Sequence, residues 1–314
     1  MYHLKLYVDY SKNDFSDKYD KKVSIRNCSL KGGGEEDRFL LPHNIQWLSI
    51  EACHDVNNLC DVSPSMNNAR DLKKCLISGC DGIECILLLS FSNDIEAGED
   101  TREESCCVPL QSLEILVLGC LTNLSALIKW GRQGGERVII PLPPATFSNL
   151  KVLRISECHK IKKLFLLGLL QHLQNLKLIS VNVSKEMKEI GEDEEGMGTC
   201  SSNNNSSSVF NNNATIFSLP KLKRFYLFDV PKLTSICKGV MACDSIEIIS
   251  LFQCPQLKRL PFSLPLVNGQ PSPPQVLKEI EIDKYDYNMG WRELLVWDHP
   301  STKNVLQPFV KYWD

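Results

Sequence analysis

No stretch of this 314-residue chain is apolar enough to cross a membrane as a helix. Its longest apolar runs, ILLLSF and LFLLGLL, fall far short of the roughly 20 residues that a bilayer demands. Charge of one sign is also scarce. Thirty-five Lys and Arg against 38 Asp and Glu leave a net −3, so no global basic field draws the chain to nucleic acid or anionic lipid. The opening MYHLKLYVDYSKND has neither a basic start nor an apolar h-region, which removes the expectation of a secretory signal. Signatures of catalysis and metal binding are missing as well. There is no GxxxxGKS/T, and Gly32, Gly33 and Gly34 run into Glu35, Glu36 and Asp37, an acidic run that repels phosphate. No CxxC, HxxxH or GxSxG occurs. The expectation is a protein that is not an enzyme and uses no cofactor and no metal.

What the chain has is a repeat, with the template LxxLxIxxCxxLxxL. The clearest copy is Leu150, Leu153, Ile155, Cys158, Ile161, Leu164. The same offsets give Ile45, Leu48, Ile50, Cys53, Val56, Leu59, and later Ile246, Ile249, Leu251, Cys254, Leu257, Leu260. This is the leucine-rich-repeat period, in which each unit supplies one strand to a stack. A single unit cannot bury its own apolar face, so the units must pack on one another. The fold class expected is α/β, strand-rich: a curved solenoid with a concave parallel sheet and an irregular or short-helical convex side. Fourteen cysteines would suit a secreted disulfide scaffold, but Cys28, Cys53, Cys80, Cys158 and Cys254 share one repeat position. A thiol there is small, tolerates burial and can bond loop backbone. Reduced cysteines, and with them a cytoplasmic location, are expected.

Repeats start near residues 20, 45, 72, 113, 150, 176, 222, 246 and 277, so residues 1–314 read as one domain of about nine units. Three spacings, 41, 37 and 46 residues, far exceed the usual 20–29 and mark insertions near 92–108, 131–146 and 191–216, while a fourth, 31, just exceeds it. The tract 192–214 is acidic, then rich in Asn and Ser, and is expected to stay disordered. Residues 284–314 break the period and read as a terminal cap carrying Trp291, Trp297 and Trp313. Strands are expected at about 23–26, 47–51, 74–78, 115–119, 152–156, 179–183, 224–228, 248–252 and 279–283. The best helix candidate is KKLFLLGLLQHLQNLKLI, residues 162–179.

Strand alternation turns the residues between the core positions to the concave side. Trp47, Glu51, Arg154, Arg224, Tyr226, Phe228, Phe252, Glu279 and Glu281 are the partner-binding candidates there. Along the chain this face passes from basic, through apolar and aromatic, to acidic. Aromatic residues and Arg are the types that anchor interfaces, so Tyr226, Phe228 and Phe252 are expected to form an exposed aromatic patch beside Arg224.

The segments ECHDVNNLCDV, SGCDGIECILLLS, ISECHKIKKLF, LPKLKRFYLFDVPKLTSIC and LFQCPQLKRLPFSL, with the tail WRELLVWDHPSTKNVLQPF, carry a more specific likeness. Together they resemble the C-terminal leucine-rich region of plant nucleotide-binding leucine-rich-repeat disease-resistance proteins of the coiled-coil class. The resemblance implies a protein-recognition module whose partner is a pathogen effector, a guarded host protein or a nucleotide-binding domain, and not nucleic acid. Nucleotide switching is not implied, because no nucleotide-binding motif is present. Alternatives from other classes are an extracellular leucine-rich-repeat receptor ectodomain and the substrate-recognition arm of a ubiquitin ligase.

Overall fold

The computed structural model describes residues 19–30, 41–42, 44–63, 66, 69–89, 110–130, 142–143, 145–165, 168–191, 216–236, 240–260, 264–283 and 299–313. Ten parallel strands form one sheet in chain order. They are β1 (Lys22–Arg26), β2 (Trp47–Glu51), β3 (Lys74–Ser78), β4 (Ile115–Gly119), β5 (Val152–Ser156), β6 (Leu178–Asn182), β7 (Arg224–Phe228), β8 (Ile248–Phe252), β9 (Glu279–Asp283) and β10 (Val310–Trp313). Each pair is in register, so equivalent residues of successive repeats align in rows across the sheet: Leu116 pairs with Leu153, and Leu153 with Ile179. This ladder is the architecture of a leucine-rich-repeat solenoid.

The second and fourth residue of each of the first nine strands point into the core, and in β10 Val310 and Tyr312 align with those columns. Leu48, Ile50, Leu116, Leu118, Leu153, Ile179, Phe225 and Ile249 have no exposed surface. The template's later apolar positions close the other wall: Val56, Ile83, Leu124, Ile161, Met187 and Leu233 are all fully buried. Burial of each such side chain contributes about 1.5–3 kcal/mol, and it is available only because the next repeat covers it.

Each of the first eight strands is followed by a residue of left-handed backbone: Asn27, Ala52, Gly79, Cys120, Glu157, Val183, Asp229 and Gln253, with φ between 49° and 60°. That conformation swings the chain out of the sheet while its N–H still bonds the next strand's last carbonyl. Ala52 N donates to Ser78 O at 3.0 Å and Asp229 N to Phe252 O at 3.0 Å. The row that follows is the cysteine position. The thiols of Cys28, Cys53, Cys80, Cys158 and Cys254 each donate to the carbonyl two residues back, at 3.0, 3.5, 3.3, 3.4 and 3.3 Å. All but Cys28, on the first rung, are buried, and the ten cysteines among the described residues are free thiols. Burial pushes the Cys75 and Cys158 thiols up to about 12.

The return side is extended more than helical. Cys85–Leu89 pairs in parallel with Ala126–Trp130, Lys163–Phe165 with Glu189–Gly191, and Ile216–Ser218 with Val240–Ala242. The helix expected over 162–179 is a single turn, Leu169–His172, because Gly168 at φ 80° interrupts the segment and Lys163–Phe165 is taken by a strand pair. The strand expected at 179–183 runs one residue earlier, since Val183 is the left-handed residue of its repeat. The tail holds a tenth rung: after the short helix Thr302–Leu306, β10 pairs with β9. The insertions at 92–108, 131–146 and 191–216 lie outside the described residues except for their margins, as do the tract 192–214 and residues 284–298 of the cap, with Trp291 and Trp297. No described helix is long and apolar enough to cross a membrane.

Candidate functional site

The odd positions of the strands face away from the core and make three rows. The first is Lys22, Trp47, Lys74, Ile115, Val152, Leu178, Arg224, Ile248, Glu279. The middle row is Ser24, Ser49, Leu76, Val117, Arg154, Ser180, Tyr226, Ser250, Glu281, Lys311. The third is Arg26, Glu51, Ser78, Gly119, Ser156, Asn182, Phe228, Phe252. All nine sequence-predicted residues therefore lie on one face of one sheet. An edge row, one residue before each strand, was not anticipated. Lys21, Gln46, Lys73, Glu114, Lys151, Lys177, Lys223, Glu247 and Lys278 follow one another through backbone bonds, such as Lys177 N to Lys151 O at 2.8 Å. The sequence signal was available: six of these nine positions are Lys.

The aromatic cluster assembles as expected but is half-buried rather than open. Phe228 and Phe252 are neighbours in the third row, with ring centroids 6.1 Å apart and planes tilted by 34°. Tyr226 stands two residues before Phe228 and shares a hydrogen bond with Arg224. Burial holds the Tyr226 hydroxyl above its usual range, and the Arg224 guanidinium opposes that shift. Trp47 is half-buried too, and its indole Nε1 has no acceptor among the described residues. In the third row the Ser156 hydroxyl and Asn182 Oδ1, on paired strands, likewise lack partners among the described residues.

The acidic candidates are engaged within the ladder. Glu51 pairs with Arg26 at 3.1 Å. The Glu279 carboxylate pairs with Lys311 of β10, and Glu281 accepts from the Ser250 hydroxyl. Arg154 and Lys22 lie close enough to Lys74 to add to burial in pushing its amine below the usual range. Among the described residues no cluster of His, Cys, Asp and Glu is arranged to hold a metal ion.

In the edge row Glu247 sits between Lys223 and Lys278, at 2.9 and 2.7 Å. Those two hydrogen bonds hold its carboxyl down to about 2, from an ordinary 4.5. A depressed acid stabilises the fold fully above the unfolded value and loses that contribution as pH falls through the folded one. Thermal melts of wild type and Glu247→Gln should therefore differ near neutrality and converge between about pH 4.5 and 2. The gap should be small, because the pair is solvent-screened.

A family model described as plant disease resistance protein RPS2-like, leucine-rich repeats, matches residues 136–268. A probable disease resistance protein of Arabidopsis thaliana is 30% identical over 161 residues, covering 50% of this chain and 17% of that one. The disease resistance protein UNI of the same plant is 27% identical over 209 residues, covering 63% of this chain and 21% of its own length. The match thus spans about a fifth or less of the curated relatives. Among solved structures, the leucine-rich repeat domain of the type III effector XopL superimposes with a TM-score of 0.42 at 14% identity, over 82% of this chain and 75% of that one. The solenoid assignment rests on this chain's own ladder of strands.

Proposed function

We propose, from the premise that this chain carries the leucine-rich repeats of plant disease-resistance proteins, that its concave face is a protein-recognition surface serving defence. The observation that carries the reading is the cluster of Tyr226, Phe228 and Phe252 with Arg224 on the concave face. Large aromatic side chains beside an arginine concentrate binding energy in a small area. The partner is a pathogen effector or a host protein altered by one, engaged in the cytoplasm. The free thiols along the repeat ladder support that compartment. Binding needs no chemistry: the rows present a fixed pattern of shape and charge, and the parallel ladder holds it rigid.

The test is a pull-down from pathogen-challenged plant extract with wild type and with Tyr226, Phe228 and Phe252 all changed to Ser. The variant should stay folded, with stability lowered by about 1–2 kcal/mol from the lost ring contacts, and should lose proteins that the wild type retains. A folded variant that retains the same proteins removes the aromatic cluster from the binding site.

A further inference from the structure

The whole chain carries a net −3, yet the first six strands of the concave face, together with the edge row beside them, are basic. In the edge, first and middle rows of β1–β6, Lys151 is matched by Glu114 at 2.9 Å. Beyond that pair the same rows hold Lys21, Lys22, Lys73, Lys74 and Lys177, and no second carboxylate. Lys22, Trp47 and Lys74 are consecutive in the first row, and Lys73 and Lys74 stand one beside the other where β3 begins. Between the cations runs an aliphatic stripe, Leu76, Ile115, Val117 and Val152, set by the same register. Burial is the main cause that holds the Lys74 amine below its usual range, and Arg154 and Lys22, each two rungs away, add their repulsion. A matching anion relieves it, and a complementary charge pattern also steers encounter and rejects wrong partners.

We propose that the β1–β6 half of the concave face receives an acidic protein segment. Its carboxylates lie over the lysine rows and its apolar side chains over the stripe from Leu76 to Val152. The proposal rests on the reading of the concave face as a recognition surface, and adds the chemistry of what is recognised. A protein segment fits better than nucleic acid. A phosphate backbone would satisfy the lysines but leave the aliphatic stripe uncovered, and single-stranded nucleic acid binds through aromatic stacking platforms, whereas Trp47 is the one aromatic residue in these rows among the described residues.

A phage library of random twelve-residue peptides panned on the full chain provides the probe. The expected result is enrichment of peptides combining Asp or Glu with apolar residues. The best of these, made synthetically and labelled, should lose affinity by about tenfold or more towards a Lys22→Glu, Lys74→Glu, Lys177→Glu variant, and should weaken as salt is raised. Circular dichroism checks that the variant is folded, and the same three changes to Gln, which should cost less affinity, serve if it is not. Failure to enrich acidic peptides, an affinity unchanged by charge reversal, or displacement of the peptide by a single-stranded oligonucleotide overturns the proposal. If the peptide ignores charge reversal but is lost when Tyr226, Phe228 and Phe252 become Ser, the concave reading stands and the acidic partner falls. If it ignores both variants, both fall.

Discussion

Leu153→Ala is expected to remove about 2–5 kcal/mol of unfolding free energy. Leu153 has no exposed surface, and its rung neighbours are Leu116 and Ile179, both fully buried. Truncation opens a cavity between repeats whose strands are held at a fixed spacing by backbone hydrogen bonds on both sides. The walls cannot collapse without breaking that ladder, so the transfer and cavity terms add. Urea unfolding followed by circular dichroism measures the loss. A change below about 0.5 kcal/mol, the range of an ordinary surface substitution, would mean that the strand's even positions are not its core face.

Gly82→Ala is expected to be nearly as damaging for an opposite reason. An added Cβ there would sit 2.3 Å from the His54 carbonyl oxygen and 2.6 Å from that of Val56. Both atoms are backbone of the preceding repeat, so neither can rotate away. The second and third units would have to separate locally, at a cost of about 3 kcal/mol by analogy with overpacked cores. Gly79→Ala is the control. Its φ is +60° but its nearest neighbour is 3.8 Å away, so only left-handed strain of about 1 kcal/mol applies. Differential scanning calorimetry of the two variants should show Gly82→Ala melting well below Gly79→Ala. The reverse order would contradict the tight inter-repeat stacking.

The strands were legible because their signal is local and repeated. Leu116 and Leu118, or Phe225 and Leu227, alternate inside a constant frame, and a row of such pairs fixes both register and facing. The left-handed residue after each strand was not legible. Asn27, Ala52, Glu157 and Val183 share a backbone conformation and no chemistry, so the stack imposes the turn on whatever residue occupies it. This is also why the sixth strand was placed one residue late: Val183 reads as a strand former. β10 was missed because Gln307 stands where the template wants an apolar residue and Tyr312 where it wants an aliphatic one, while Leu306 is buried from a helix instead. The helix expected over 162–179 failed because dense leucines suit a buried extended return as well as a helix. At the candidate site, which residues face the same way followed from alternation. The engagement of Glu51 by Arg26 and of Glu279 by Lys311 did not, since those pairs depend on which repeats are neighbours and on a rung the period conceals.

The most direct test of the proposed recognition surface is covalent side-chain footprinting of the full chain, free and bound to a partner captured from plant extract. Protection on binding should fall on Tyr226, Phe228, Phe252 and Trp47, and leave Lys129 and Lys232 of the return side as reactive as before. Protection confined to the return side, with the concave residues unchanged, would contradict the account.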